Sequence, residues 1–143
     1  MAGQSRRLVQ LGVLLVLIGL LTGLVVPALA VPRLGVSAHV LGVSGGFFLA
    51  VFGLLWPQVR LGSGAARLCC ALAVYAFYCG WLMPLLGGVW GAGATMLPLA
   101  AGTARGTAFQ EGVIAAGLMT AAVAVVALCV LVLWGLREPA GDA

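Results

Sequence analysis

The sequence predicts an all-α integral membrane protein with four transmembrane helices, and three observations carry that expectation. Of its 143 residues 64% are hydrophobic and 7% charged, with a mean hydropathy of +1.23, a balance that no water-soluble globular domain averages. The apolar residues gather into runs of about 20 or more, the length that crosses a hydrocarbon core of roughly 30 Å. Arginine and proline collect at the ends of those runs. Four spans use most of the chain, so one four-helix transmembrane domain over residues 1–143 is expected.

The first span is read over Leu8–Val31, after Arg6 and Arg7. Its basic start and its Ala28-Leu29-Ala30 end resemble a cleavable signal, but the apolar core exceeds the usual length of about 7–15 residues, and Pro27 near the far end suits a span. The second is read over Val36–Trp56, with Ser37 as its cap and Trp56-Pro57 combining an interfacial aromatic with a helix stop. Gln58–Arg67, with Gly-Ser-Gly inside it, is a short polar connection.

From Leu68 to Ala104 there is no charge, too long a stretch for one span and too short for two joined by an ordinary loop. A break at Pro84–Gly88 resolves this. The third helix then covers Leu68–Leu86, and Gly87–Gly106, rich in glycine and holding Pro98, is a long apolar connection lying on or dipping into the membrane. The fourth helix covers Gly112–Leu136, with Trp134 and Arg137 at its end and a short polar tail after it. Arg6, Arg7, Arg60, Arg67 and Arg137 fall on one side, Arg33 and Arg105 on the other, which places both termini in the cytoplasm and the protein in the cell (inner) membrane. His39, Glu111 and the 87–106 connection then share the outer half.

The formal charge of +4 comes from arginines scattered over helix ends, a distribution that argues against nucleic acid. Cys69, Cys70, Cys79 and Cys129 lie inside apolar segments without metal-knuckle spacing. There is no Ser–His–Asp set, no second histidine, no phosphate loop and no acidic residue in the first three helices. Hydrolase, nucleotide-driven and ordinary proton-coupled transport chemistries are therefore set aside.

His39, the only histidine, is the leading candidate for chemistry, because an imidazole at membrane depth is costly unless it is hydrogen-bonded, paired or bound to a metal. Its helical face continues through Gly42 and Gly46, a stripe that leaves room for a flat ligand or for a closely packed neighbouring helix. One histidine cannot build a zinc site alone, but one axial histidine suffices for haem, whose porphyrin supplies four ligands. Arg33 is placed to pair a haem propionate or to act as an ordinary interfacial arginine. Tyr75 and Tyr78, three apart on the third helix with Cys79 beside them, either bond neighbouring helices or orient a polar ligand. Glu111 at the start of the fourth helix is a favourable first-turn charge, a partner for Arg33 or Arg105, or a proton-transfer group.

The chain resembles the small four-helix membrane isomerases that include hydroxylaminobenzene mutase and styrene oxide isomerase. The matching stretches run in order along nearly the whole chain: Ile18–Leu24, PRLGVSAH at 32–39 with Gly42, Gly46 and Phe48-Leu49, GLLWP at 53–57, VWGAG at 89–93, MLPLAAG at 96–102, GTAFQE at 106–111 and VLWGLR at 132–137. The resemblance implies a homo-oligomer, a trimer, with haem b near subunit interfaces and His39 as axial ligand, ferric iron acting as a Lewis acid on the oxygen of a small apolar substrate taken from the bilayer. It implies a redox-neutral rearrangement, of an arylhydroxylamine to an aminophenol or of an epoxide to an aldehyde; Tyr78 or Tyr75 is our own candidate to orient the substrate. Two positions depart from the family pattern, Gly45 and Gly80, where asparagines are expected. The alternative expectation is a non-catalytic four-helix membrane protein whose glycines only pack helices.

Overall fold

The computed structural model describes residues 2–137, and among them the regular structure is helical throughout. Four helices are long and apolar enough to cross a membrane. They are α1 (Ala2–Val25), α2 (Pro32–Leu55), α3 (Ser63–Trp90) and α5 (Ala108–Gly135), with a one-turn α4 (Pro98–Ala101) in the last connection. The expected count and order of spans hold, and the expected polar tail after Arg137 lies outside the described residues.

The boundaries move for local reasons. α1 begins at Ala2 and gives way at Val25, because Pro27 cannot continue the ladder and a 3-10 turn over Val26–Ala28 takes its place. α2 starts at Pro32, whose missing N–H is no loss in a first turn. Ser37 is therefore inside the helix and caps nothing: its hydroxyl donates to the Arg33 carbonyl. α3 passes straight through the buried Pro84, where a break was expected, and ends at Gly91, which takes the left-handed φ of +67° that stops a helix. The connection thus begins at Gly91 rather than Gly87. α5 opens on a reciprocal cap, Thr107 accepting from the Gln110 N–H while the Gln110 side chain accepts from the Thr107 N–H.

α1 and α2 form the tightest pair. α2 and α5 each pack on α3, whereas α1 and α3 touch only sparingly. Glycine makes the α1–α2 contact possible. A Cβ on Gly12, Gly19, Gly46 or Gly53 would fall within 3 Å of backbone atoms of the facing helix, so these two backbones meet with nothing between them. At one end of the bundle Leu8, Leu49, Trp56, Cys69, Ala73 and Leu128 form a buried cluster. At the other end the connection after α3 folds back, with Ala101 and its neighbours packed on Val31 and Leu34.

Candidate functional site

His39 lies in the second turn of α2, half-buried against α1. Its Nδ1 is 2.8 Å from the Gly19 carbonyl oxygen. A carbonyl only accepts, so Nδ1 carries a proton, and in the neutral imidazole it is Nε2 that holds the lone pair. Gly23, one turn further along α1, leaves the space the ring occupies: a Cβ there would sit 2.8 Å from Nδ1. Gly19 and Gly23 are thus the residues that seat the imidazole. Their four-residue spacing was visible in the sequence, but which neighbour they face was not.

The space beside His39 along its own helix is filled. A Cβ on Gly42 would meet the Trp81 ring and Gly19, and one on Gly46 would meet the Val16 backbone. Within one chain the expected room for a flat ligand along Gly42 and Gly46 is therefore occupied by α1 and Trp81, and the stripe packs helices. Trp81 is fixed in turn, its indole N–H donating at 3.0 Å to the buried Thr22 hydroxyl, which itself donates to the Ile18 carbonyl.

Among the described residues no three His, Cys, Asp or Glu side chains converge as a metal set. His39 is accordingly a one-ligand position, suited to a metal that brings its remaining ligands in a macrocycle. An Nδ1 held by a main-chain carbonyl and an Nε2 with no hydrogen bond among the described residues are the arrangement an axial histidine needs.

The other candidates separate. Tyr75 shares a 2.6 Å hydrogen bond with the Thr120 hydroxyl on α5, and Tyr78 donates to the Leu11 carbonyl on α1 at 2.8 Å. Both hydroxyls thus cross-link helices, and both rings line one groove on the outer side of α3 with Trp81 and Gly117. Cys79 donates to the Gly117 carbonyl. Arg33 is exposed at the start of α2.

Glu111 is neither a simple first-turn charge nor an arginine partner. Its carboxylate accepts from the backbone N–H groups of Gly93, Ala94, Thr95 and Gly106 at 2.9–3.3 Å, clamping both ends of the connection onto α5. Gly93 meets this demand with a φ of +120°.

A second feature lies on the opposite side of α2. Leu41, Ser44, Gly45 and Phe48, spaced as one helical face, form the wall of a crevice floored by α3 and closed by α5. Its volume is about 320 Å³, and a contiguous apolar cavity of about 570 Å³ continues it past Phe52 and Leu128. Phe48 and Phe77 stack in parallel there, ring centroids 6.1 Å apart. Gly45 and Gly80 both line this crevice, and a Cβ on Gly80 would meet nothing within 4 Å.

Comparison with known proteins agrees with this architecture. The family model for styrene oxide isomerase matches residues 4–137. Hydroxylaminobenzene mutase HabB of Ectopseudomonas oleovorans is 51% identical over 134 residues, covering 94% of this chain and 82% of that protein. Hydroxylaminobenzene mutase HabA of the same organism is 38% identical over 125 residues, covering 87% and 93%. No solved structure matches the chain.

Proposed function

The chain belongs to the styrene oxide isomerase family, and from that membership we propose that this membrane isomerase is haem b-dependent, rearranging an arylhydroxylamine or a related small apolar N-hydroxy compound, with epoxides as the second substrate class. The names of the two relatives favour the hydroxylamine. The observation that carries the cofactor is His39, whose Nδ1 proton is committed to the Gly19 carbonyl so that Nε2 is the free ligand nitrogen. When bound there, ferric haem supplies Lewis acidity to the substrate oxygen, the chemistry a redox-neutral N–O or C–O cleavage needs.

The chain's own residues do the rest. The Gly19 carbonyl fixes the imidazole orientation and raises its basicity as a ligand. Arg33, exposed near the same membrane face, is available to a propionate. The crevice of Phe48, Phe77, Gly45 and Gly80 is mostly apolar and has the flat aromatic walls an aryl ring prefers. That crevice and His39 lie on opposite faces of α2, so one subunit's crevice can serve only another subunit's histidine. This supports a homo-oligomer with the reaction site at the boundary between copies; we further propose that it is a trimer of the cell membrane, with both termini cytoplasmic as the arginine bias indicates. Tyr78 and Tyr75 line the groove with Trp81 and not the crevice, so the hydroxyls proposed to orient substrate are taken, like His39, from the neighbouring copy, each exchanging its present interhelical hydrogen bond to do so.

The test is spectroscopic and chemical. Protein purified from haem-replete cells is expected to show a Soret band that His39→Ala abolishes, and to convert an arylhydroxylamine to an isobaric product without added reductant. Colourless wild-type protein would remove the cofactor, and a strict need for an electron donor would replace isomerisation with a redox role.

A further inference from the structure

The end of the bundle remote from His39 holds a pair of adjoining cavities that the reaction does not use. One, of about 350 Å³, is lined by Gln4, Trp56, Ser63 and Arg67. The other, also about 350 Å³, lies between α1 and α3 and shares Gln4 and Arg67 with the first, adding Arg7. Below these polar groups its walls are apolar: Leu8 and Leu11 from α1, Cys70, Ala71 and Val74 from α3. On both helices the lining residues follow at three and four, one continuous stripe each. The trough therefore runs about 10 Å down the helix axes from a cationic mouth into hydrocarbon-like walls. Beside it α1 and α3 touch only sparingly, and the hydrogen bond from Tyr78 to the Leu11 carbonyl joins them at its far end.

The mouth is built for an anion. Arg7 and Arg67 are exposed and flank it. α3 begins at Ser63 behind Gly62 with no side-chain cap, so the positive end of a 28-residue helix lies at the same end of the bundle, with Ser63 lining the first cavity. The buried Trp56 ring forms part of the wall of that first cavity. Arginine's fork matches phosphate oxygens two at a time, and an apolar trough running away from the phosphate is the shape of an acyl chain.

We propose that this end carries a binding site for one anionic phospholipid, its phosphate between Arg7 and Arg67 and one acyl chain in the trough between α1 and α3. The ligand is bound where bilayer lipid already stands, and it wedges together two helices that otherwise barely touch.

Native mass spectrometry of the full-length protein released from detergent, titrated with phosphatidylglycerol, phosphatidylcholine or inorganic phosphate, tests this directly. Phosphatidylglycerol is expected to be retained at least tenfold better than phosphatidylcholine. Arg67→Gln is expected to lower that retention at least fivefold and Arg67→Lys less, while Arg105→Gln at the opposite end leaves it unchanged. Ala71→Phe keeps both arginines but fills the trough, and is expected to abolish retention of long-chain lipid. Should Arg67→Gln prove unstable, Arg7→Gln and Ala71→Phe decide the matter alone. Equal retention of the two lipids, equal retention by the arginine variants and Arg105→Gln, or displacement of the lipid by millimolar inorganic phosphate would each overturn the proposal.

Discussion

His39 and Glu111 are both polar groups at the edge of an apolar bundle, and each is reconciled with that setting by main-chain atoms. For His39 one carbonyl fixes the proton on Nδ1; for Glu111 four amides share one carboxylate. The difference sets their roles, since the histidine is left with a free nitrogen and the glutamate with its acceptor sites used. Charge-assisted hydrogen bonds contribute about 1.5–3 kcal/mol each and are not additive, so Glu111→Ala is expected to cost about 3 kcal/mol and Glu111→Gln, which turns an amide donor toward backbone donors, about 2 kcal/mol. The measurement is hydrogen exchange. Gly93, Ala94, Thr95 and Gly106 should exchange faster in Glu111→Gln while amides of α1 keep their protection, and unaltered exchange at those four would deny the clamp. The histidine was legible in the sequence because a lone imidazole in an apolar helix has few explanations. The clamp was not, because its donors lie up to 18 residues away, on a segment whose path follows from three glycines with positive φ.

The helices themselves show the same divide between pattern and partner. Four apolar runs predict four spans, and the structure keeps all four; yet Pro84, read as a break, sits in unbroken helix. A buried proline in a membrane helix loses one hydrogen bond that packing and neighbouring groups offset, and the αL glycine at 91 is the stronger stop. The glycine stripe of α2 was legible as small residues at helical spacing, but not whether a ligand or a helix covers it. α1 covers it. Gly46→Val is therefore expected to lower stability by about 3 kcal/mol, because its side chain meets the Val16 backbone, whereas Gly112→Ala, with open space around it, should not lower the unfolding midpoint. Thermal unfolding in detergent compares the two; equal midpoints would mean that the α1–α2 contact is looser than described. At the start of α5, Thr107→Ala removes a reciprocal cap and should cost about 1 kcal/mol in the same assay.

For the whole molecule the decisive geometry is that α2 presents His39 to α1 on one face and the Phe48–Gly45 crevice on the other. No rearrangement of side chains brings the two together within one chain, since a helix cannot turn half a revolution without breaking the glycine contacts that hold it. The proposed reaction site thus requires a histidine from one copy and a crevice from the next, and this has a consequence that a self-contained subunit would not share. Gly80→Phe places a ring in the crevice without a clash at Cβ, and His39→Ala removes the ligand; each alone is expected to abolish turnover in its own oligomer. When the two variants are co-expressed and purified through both of two different tags, boundaries that pair an intact histidine with an intact crevice are restored. In a closed trimer that carries both tags, one boundary in three pairs an intact histidine with an intact crevice, so about one third of the sites are restored. Activity near that fraction, with a Soret intensity about half that of wild type, is the expected result. Sites contained within one subunit would give none, because every subunit in the mixture lacks either its histidine or its crevice.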